Sequence, residues 1–241
     1  ESYKSHEIVD SFLGIGNPVL SGSDVVLRGV DKVALSDQRG SISRTISDLS
    51  ALPETEIELN TIAKFFTNSE VITQNDATET KVRDMDLSGF DVVAFATHAL
   101  VSNEIDELFE PAIVLTPVDS DNSENDGLLM ASEIAELSMD ADIVLLSACN
   151  TASAFGESNS QGLSGIADSF FEAGAKSLLV SYWSVISDSA VDITTRMFDQ
   201  SNTGKSYAHR HRESILQLLK ESNNYQTNPV YWAPFMVVGV N

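Results

Sequence analysis

The chain has a single cysteine, Cys149, among 241 residues. A lone thiol has no intrachain disulfide partner and no second thiolate for a metal site, so it is either an inert packed residue or a reactive one. Basic residues are scarce too, with 14 Lys and Arg against 36 Asp and Glu and a formal charge of −22. Such a surface repels nucleic-acid phosphates and anionic lipid, which argues against binding either and leaves a basic or neutral protein partner, or simply a well-solvated exterior. No apolar run approaches the ~18–20 residues of a membrane span, and the first residues, ESYKSHEIVD, have neither the basic stretch nor the apolar core of a leader. The missing initiator Met is expected of a segment excised from a longer chain or of a processed one; cellular location stays open, with the cytoplasm favoured. The acidic stretch from Asp119 to Gly127 lacks the glycine and the closing glutamate of a calcium loop, so it reads as a solvent-facing loop and no metal or cofactor is expected.

What is present is an alternation of apolar runs and helical patterns. FLGI at 12–15, DVVAFA at 91–96, AIVL at 112–115, DIVLLSA at 142–148, SLLVSYW at 177–183 and FMVVGV at 235–240 are apolar on both faces, as strands of a mainly parallel buried sheet are. Leu59, Ile62, Ala63 and Phe66 recur at helical spacing, as do Leu163, Ile166, Ala167, Phe170 and Phe171. Ala190, Ile193, Thr194 and Met197 predict a third helix, and Ala208, His211, Ile215, Leu218 and Leu219 a fourth. Gly174 stands where a helix end favours positive φ. LLMASEIAEL after Asp126–Gly127 reads as a short helix, whereas residues 21–50, rich in Ser, read as a long excursion or small hairpin over the surface. The class is α/β, with no repeat and no linker to divide residues 1–241.

His98 and Cys149 each end an apolar run, FDVVAFATHAL and ADIVLLSACNTA. Carboxyl ends of parallel strands are where an α/β sheet presents its chemistry. A thiol needs a neighbouring base to raise its thiolate fraction, and a histidine within hydrogen-bond reach supplies one. Adjacent strands lie about 4.8 Å apart, so residues remote in sequence can meet there. The pair suggests a cysteine hydrolase.

FATHAL at 95–100, DGLLMASEIAEL at 126–137, VLLSACNTA at 144–152, GLSGIADSFFEAGAKSLLVSYWSV at 162–185 and NPVYWAPFMVVG at 228–239 together resemble the CHAT domain. That is a caspase- and separase-like family of cysteine peptidases often joined to tetratricopeptide repeats. LGIGNPVL at 13–20 and LPETEIEL at 52–59 extend the resemblance over most of the chain, with 21–50 the poorest match. It implies one caspase-like α/β sandwich over 1–241, a mainly parallel central sheet flanked by helices, and a protein or peptide substrate, with repeats in the same longer chain as a further partner. By the same resemblance His98 and Cys149 are the catalytic dyad, and the backbone amides of Cys149 and Ala99 form the oxyanion hole. The commoner family pattern has Gly after the His; Ala99 keeps the N–H but narrows the range of φ.

For substrate binding the resemblance points to Ser181 and Trp183, while Ser184 stands where caspases place an Arg for Asp at P1, which disfavours cleavage after Asp. Asp126, Asp188, Glu54 and Glu56 are carboxylates near loop ends that would accept Arg or Lys. Ser147, two residues before the thiol, either faces the pocket or caps the strand. Plainer roles stand beside these: Cys149 as a packed thiol, Trp183, Tyr231 and Trp232 as packing aromatics, and His6, His209 and His211 as surface groups. Three functions follow in order: a cysteine endopeptidase governed by upstream repeats or partners, an inactive peptide-binding module, and another thiol enzyme such as an acyl transferase. The last strand, FMVVGV, is a possible pairing edge between copies.

Overall fold

The computed structural model describes residues 10–20, 27–28, 46, 49–102, 108–118, 125–147, 165–183, 185–199, 204–221 and 225–240. In chain order the elements are β1 (Ser11–Pro18), β2 (Leu27–Arg28), α1 (Pro53–Ala63), β3 (Asn68–Gln74), α2 (Glu79–Asp84), β4 (Val92–Ala96), β5 (Ala99–Leu100), β6 (Ala112–Val114) and β7 (Leu128–Met130). They continue with α3 (Ala131–Glu136), β8 (Ile143–Leu146), α4 (Gly165–Glu172), β9 (Ser177–Ser181), β10 (Val185–Ile186), α5 (Ser187–Met197), α6 (Tyr207–Glu221) and β11 (Phe235–Gly239). Six strands form the central sheet in the order β11-β9-β8-β4-β1-β3. All its pairings are parallel except that of β11 with β9. No helix among the described residues is long and apolar enough to cross a membrane.

Alternation along each strand divides the core into two layers. Leu13, Ile15, Val93, Phe95, Val144, Leu146 and Leu178 face Val82 of α2, Ile134 of α3 and Phe170 of α4. Phe12, Val92, Ala94, Ile143, Leu145 and Leu179 face Leu59 and Ile62 of α1, Ile193 and Met197 of α5 and Leu218 of α6. Because β4, β8 and β9 are buried on both faces, their sequences read as unbroken apolar runs. Helix α1 starts on Pro53, whose fixed φ suits a first turn.

Four expectations need correction. AIVL is not in the parallel sheet: β6 is the middle strand of a separate antiparallel sheet, β5-β6-β7, and is apolar throughout because Ile113 and Val114 enter different clusters on its two faces. LLMASEIAEL is a strand before it is a helix, since β7 takes Leu128–Met130 and α3 begins at Ala131. FMVVGV is not buried on both faces: β11 lies at the sheet edge, with Met236 and Val240 exposed. The acidic loop does not wholly face solvent either, because Gly127 at its end is buried and donates its N–H to Glu79.

The reading of Gly174 matches the structure. Its φ is 113°, its N–H donates to Phe171 O and the N–H of Ala175 donates to Phe170 O, the paired bonds that close a helix through a left-handed residue. A Cβ there would lie 2.1 Å from the carbonyl oxygen of Met139. Gly174→Ala is therefore expected to cost about 3 kcal/mol or more, read as a lower urea midpoint with an unchanged slope.

Candidate active site at the carboxyl edge of the sheet

Two residues beyond β4, the His98 ring is buried, and its Nε2 lies 2.8 Å from the carbonyl oxygen of Ser50. A carbonyl only accepts, so Nε2 carries the proton and Nδ1 is the nitrogen whose lone pair can take one from a thiol. The backbone is pinned as well: Val114 N–H donates to His98 O at 2.9 Å, and Thr97 Oγ1 donates to Val114 O at 2.7 Å. Ser50 was beyond the reach of sequence reasoning, because its contribution is a main-chain carbonyl and any residue type supplies one.

The bond from Val114 to His98 also settles the phase of the β5–β6 ladder. Antiparallel ladders alternate hydrogen-bonded and non-hydrogen-bonded pairs. With 98 and 114 bonded, the next pair, Ala99 with Ile113, is the non-bonded kind, and the Ala99 N–H points away from β6. Among the described residues other than glycine only Asn17 and Gln74 have positive φ, so Ala99 is a conformation in which a Cβ adds no strain.

Strands β4 and β8 pair in parallel with Phe95 opposite Leu146, and Ser147 N–H donates to Phe95 O at 3.0 Å, extending the pairing by one residue. His98 follows Phe95 by three positions, and Cys149 follows Leu146 by three. Cys149 itself lies outside the described residues, as do Ser184 and His6.

A family model for the CHAT domain matches residues 4–240. The chain belongs to the CHAT domain family. Among solved structures, the Arg-specific cysteine proteinase gingipain R is similar, with a TM-score of 0.53 at 10% identity over 96% of this chain and 46% of that one. The complex of the pro- and mature domains of RgpB from Porphyromonas gingivalis gives 0.52 at 9% identity over 96% of this chain and 47% of that one. At such identity the likeness speaks for the fold: a caspase-like α/β sandwich. The chain spans just under half the length of those two proteins. No curated protein matches it.

In this CHAT domain the other residues marked in the sequence fall into two layers. Ser147 and Ser181 are buried on the face that α1 and α5 cover, in step with Leu145 and Leu179. Ser147 Oγ donates to Glu58 Oε1 at 3.0 Å. Trp183 is 37% exposed, with its indole N–H 3.5 Å from Val230 O, and Tyr231 and Trp232 follow on the next turn. Glu56 accepts from Asn17 Nδ2 at 2.8 Å, beside Thr55, whose Oγ1 accepts the Asn17 N–H. Of the histidines, His209 is exposed, but His211 is not the surface group expected; burial holds its ring down to about 4. It sits in the inward stripe of α6 that Leu218 continues.

Asp126 belongs to the opposite layer. Its Oδ1 accepts the Leu128 N–H at 2.9 Å, closing the turn into β7, and it neighbours Glu79, Glu133 and Arg83. Glu79, 1% exposed, accepts the Gly127 N–H at 2.6 Å through Oε2, while Oε1 is buried with no hydrogen-bond donor among the described residues. Burial pushes the Glu79 carboxyl up to about 7, with Asp126 and Glu133 adding to the rise and the Gly127 N–H and Arg83 opposing it. Burial raises Asp126 and Glu133 in the same direction.

A folded-state pKa above the ordinary 4.5 means that the native protein holds this proton more tightly than the unfolded chain does. The stability it contributes is complete below about pH 4.5 and is lost as pH rises through about 7, up to about 3 kcal/mol. Glu79→Gln is expected to be more stable than the parent at pH 8 and to flatten the parent's decline between pH 5 and 8. Urea unfolding of both chains across that range checks it; parallel curves would refute the assignment.

Proposed function

We propose that this domain is a cysteine endopeptidase in which Cys149 is the nucleophile and His98 the base. His98 Nδ1 takes the thiol proton as sulfur bonds to the carbonyl carbon of a peptide, and the developing oxyanion accepts from the N–H groups of Ala99 and Cys149. The same imidazole gives its proton to the leaving amine as the C–N bond breaks. It then takes a proton from water, which hydrolyses the thioester and restores the thiol. Trp183, 37% exposed, flanks the side chains before the scissile bond, whereas the Ser181 side chain, expected beside it, is fully buried and does not reach them. Control by upstream repeats or partner proteins belongs to the same reading.

The observation that carries the proposal is the Nε2 bond to Ser50, which holds the imidazole at the end of a strand whose neighbour, β8, leads within three residues to the lone thiol. Two further features support it. The β5–β6 ladder turns the Ala99 N–H outward, and the family and fold are those of cysteine peptidases, gingipain R being an Arg-specific cysteine proteinase. A charge of −22 favours basic or neutral substrate segments. Ser184, in place of an Arg, disfavours Asp at P1.

Two experiments test the reading. A thiol-directed peptidyl electrophile is expected to label Cys149 in the intact chain and to lose about 10²-fold or more in rate in His98→Ala. Cleavage of a peptide library, with Cys149→Ala as the blank, should then show hydrolysis without preference for Asp. Equal labelling with and without His98 would remove the dyad. Peptide binding with no cleavage under any activating condition would make the domain a binding module.

A further inference from the structure

Beneath the carboxyl edge of the sheet lies a buried polar group that the dyad does not use. Glu58, on α1, is 1% exposed, and Ser147 and Thr194 around it are 3% and 0% exposed. Ser147 Oγ donates to Glu58 Oε1 at 3.0 Å, and Thr194 Oγ1, on α5, reaches the same oxygen at 2.8 Å. A carboxyl in so apolar a layer, between Leu59 and Ile62 on one side and Leu145 on the other, is costly unless bonded. Its packing value would be met better by Leu or Met. What the carboxyl does that an apolar side chain cannot do is fix the last residue of the β4–β8 pairing, Ser147, by its hydroxyl as well as its N–H.

We propose that Glu58 is a positioning residue for the nucleophile: it clamps Ser147, two residues before Cys149, between α1 and α5. This rests on the dyad reading and adds to it a reason for a buried acid at position 58. The same helix α1 begins three residues after Ser50, whose carbonyl orients His98. Helix α1 and the three residues before it therefore set both the direction of the imidazole and the exit of the strand that leads to the thiol. Helix α5 joins the clamp through Thr194 and follows the Ser181–Trp183 segment after the short strand β10. The clamp thus ties the nucleophile strand to the chain expected to line the substrate. In this role Ser147 holds the strand and does not touch substrate.

The test is the rate at which iodoacetamide alkylates the protein, which has no other cysteine than Cys149, in the full chain with folding checked by circular dichroism. Glu58→Leu and Ser147→Ala are each expected to slow alkylation about tenfold, since a small misplacement of a reacting atom is enough to do so. The double variant should be no slower than the worse single one, because both remove one contact. Glu58→Gln, which keeps an acceptor oxygen, should stay within about twofold of the parent. With a peptide substrate the two damaging variants should lower kcat and leave KM unchanged. Parental rates in Glu58→Leu and Ser147→Ala, or a raised KM at an unchanged alkylation rate, would overturn the clamp. Should Glu58→Leu fail to fold, Ser147→Ala, which removes a single hydroxyl, decides alone. His98→Ala keeps the two ideas apart: an unchanged rate there removes the dyad, whereas the Ser147 comparison still reads the clamp.

Discussion

The carboxyl edge of the sheet depends on one short span, Ser50 to Glu58, that reaches three strands by hydrogen bonds. Ser50 accepts from His98 after β4, Thr55 accepts the N–H of Asn17 at the end of β1, and Glu58 accepts from Ser147 after β8. Each such bond adds only about 1 kcal/mol net, but a buried donor left without its acceptor costs about 1–3 kcal/mol. The span therefore acts as a constraint more than as glue. Alternative placements of the three strand ends are penalised one by one, and the edge is left with a single geometry.

Close approach makes that geometry attainable. Gly16 of β1 stands opposite Ala96 of β4, two residues before His98. A Cβ on Gly16 would fall 2.4 Å from Ala96 O and 2.9 Å from Leu59 Cδ1. With no side chain there, α1 settles onto the sheet far enough for Glu58 to reach Ser147. The second glycine of LGIGNPVL, Gly16, is thus a packing requirement of the edge, where a sequence reading sees only part of a strand.

Burial on two faces made the central strands legible, because β4, β8 and β9 have no polar side to interrupt the pattern. What escaped had the opposite character. Strand β3 is an edge whose first three residues, Asn68, Ser69 and Glu70, are exposed, so its pattern is that of a loop. Helix α2 is only six residues long, and its cap, Thr78 accepting the Lys81 N–H, is the sole local sign of it. The antiparallel trio β5–β7 is made of two- and three-residue strands, too short for any periodicity to declare itself. The place of His98 just beyond a central strand was legible from the apolar run before it. Its orienting group was not, because a carbonyl has no sequence signature.

Acidic excess first reads as surface, yet several buried or half-buried carboxylates serve as acceptors for neutral donors. Asp91 takes the N–H groups of Asp10 and Ser11 together with the Ser11 hydroxyl, joining the starts of β1 and β4. Glu58 takes Ser147, and Glu79 takes the Gly127 N–H. The difference matters for how the molecule responds to its medium. Salt screens exposed charges over about 8–10 Å, so the long-range field of a chain with a formal charge of −22 fades as ionic strength rises. Contacts between a buried acceptor and a neutral hydroxyl or amide involve little screening. The outer field and the alignment of the edge are therefore set by separate groups, one sensitive to salt and the other not, and the strand ends keep their order under conditions that weaken the field around them.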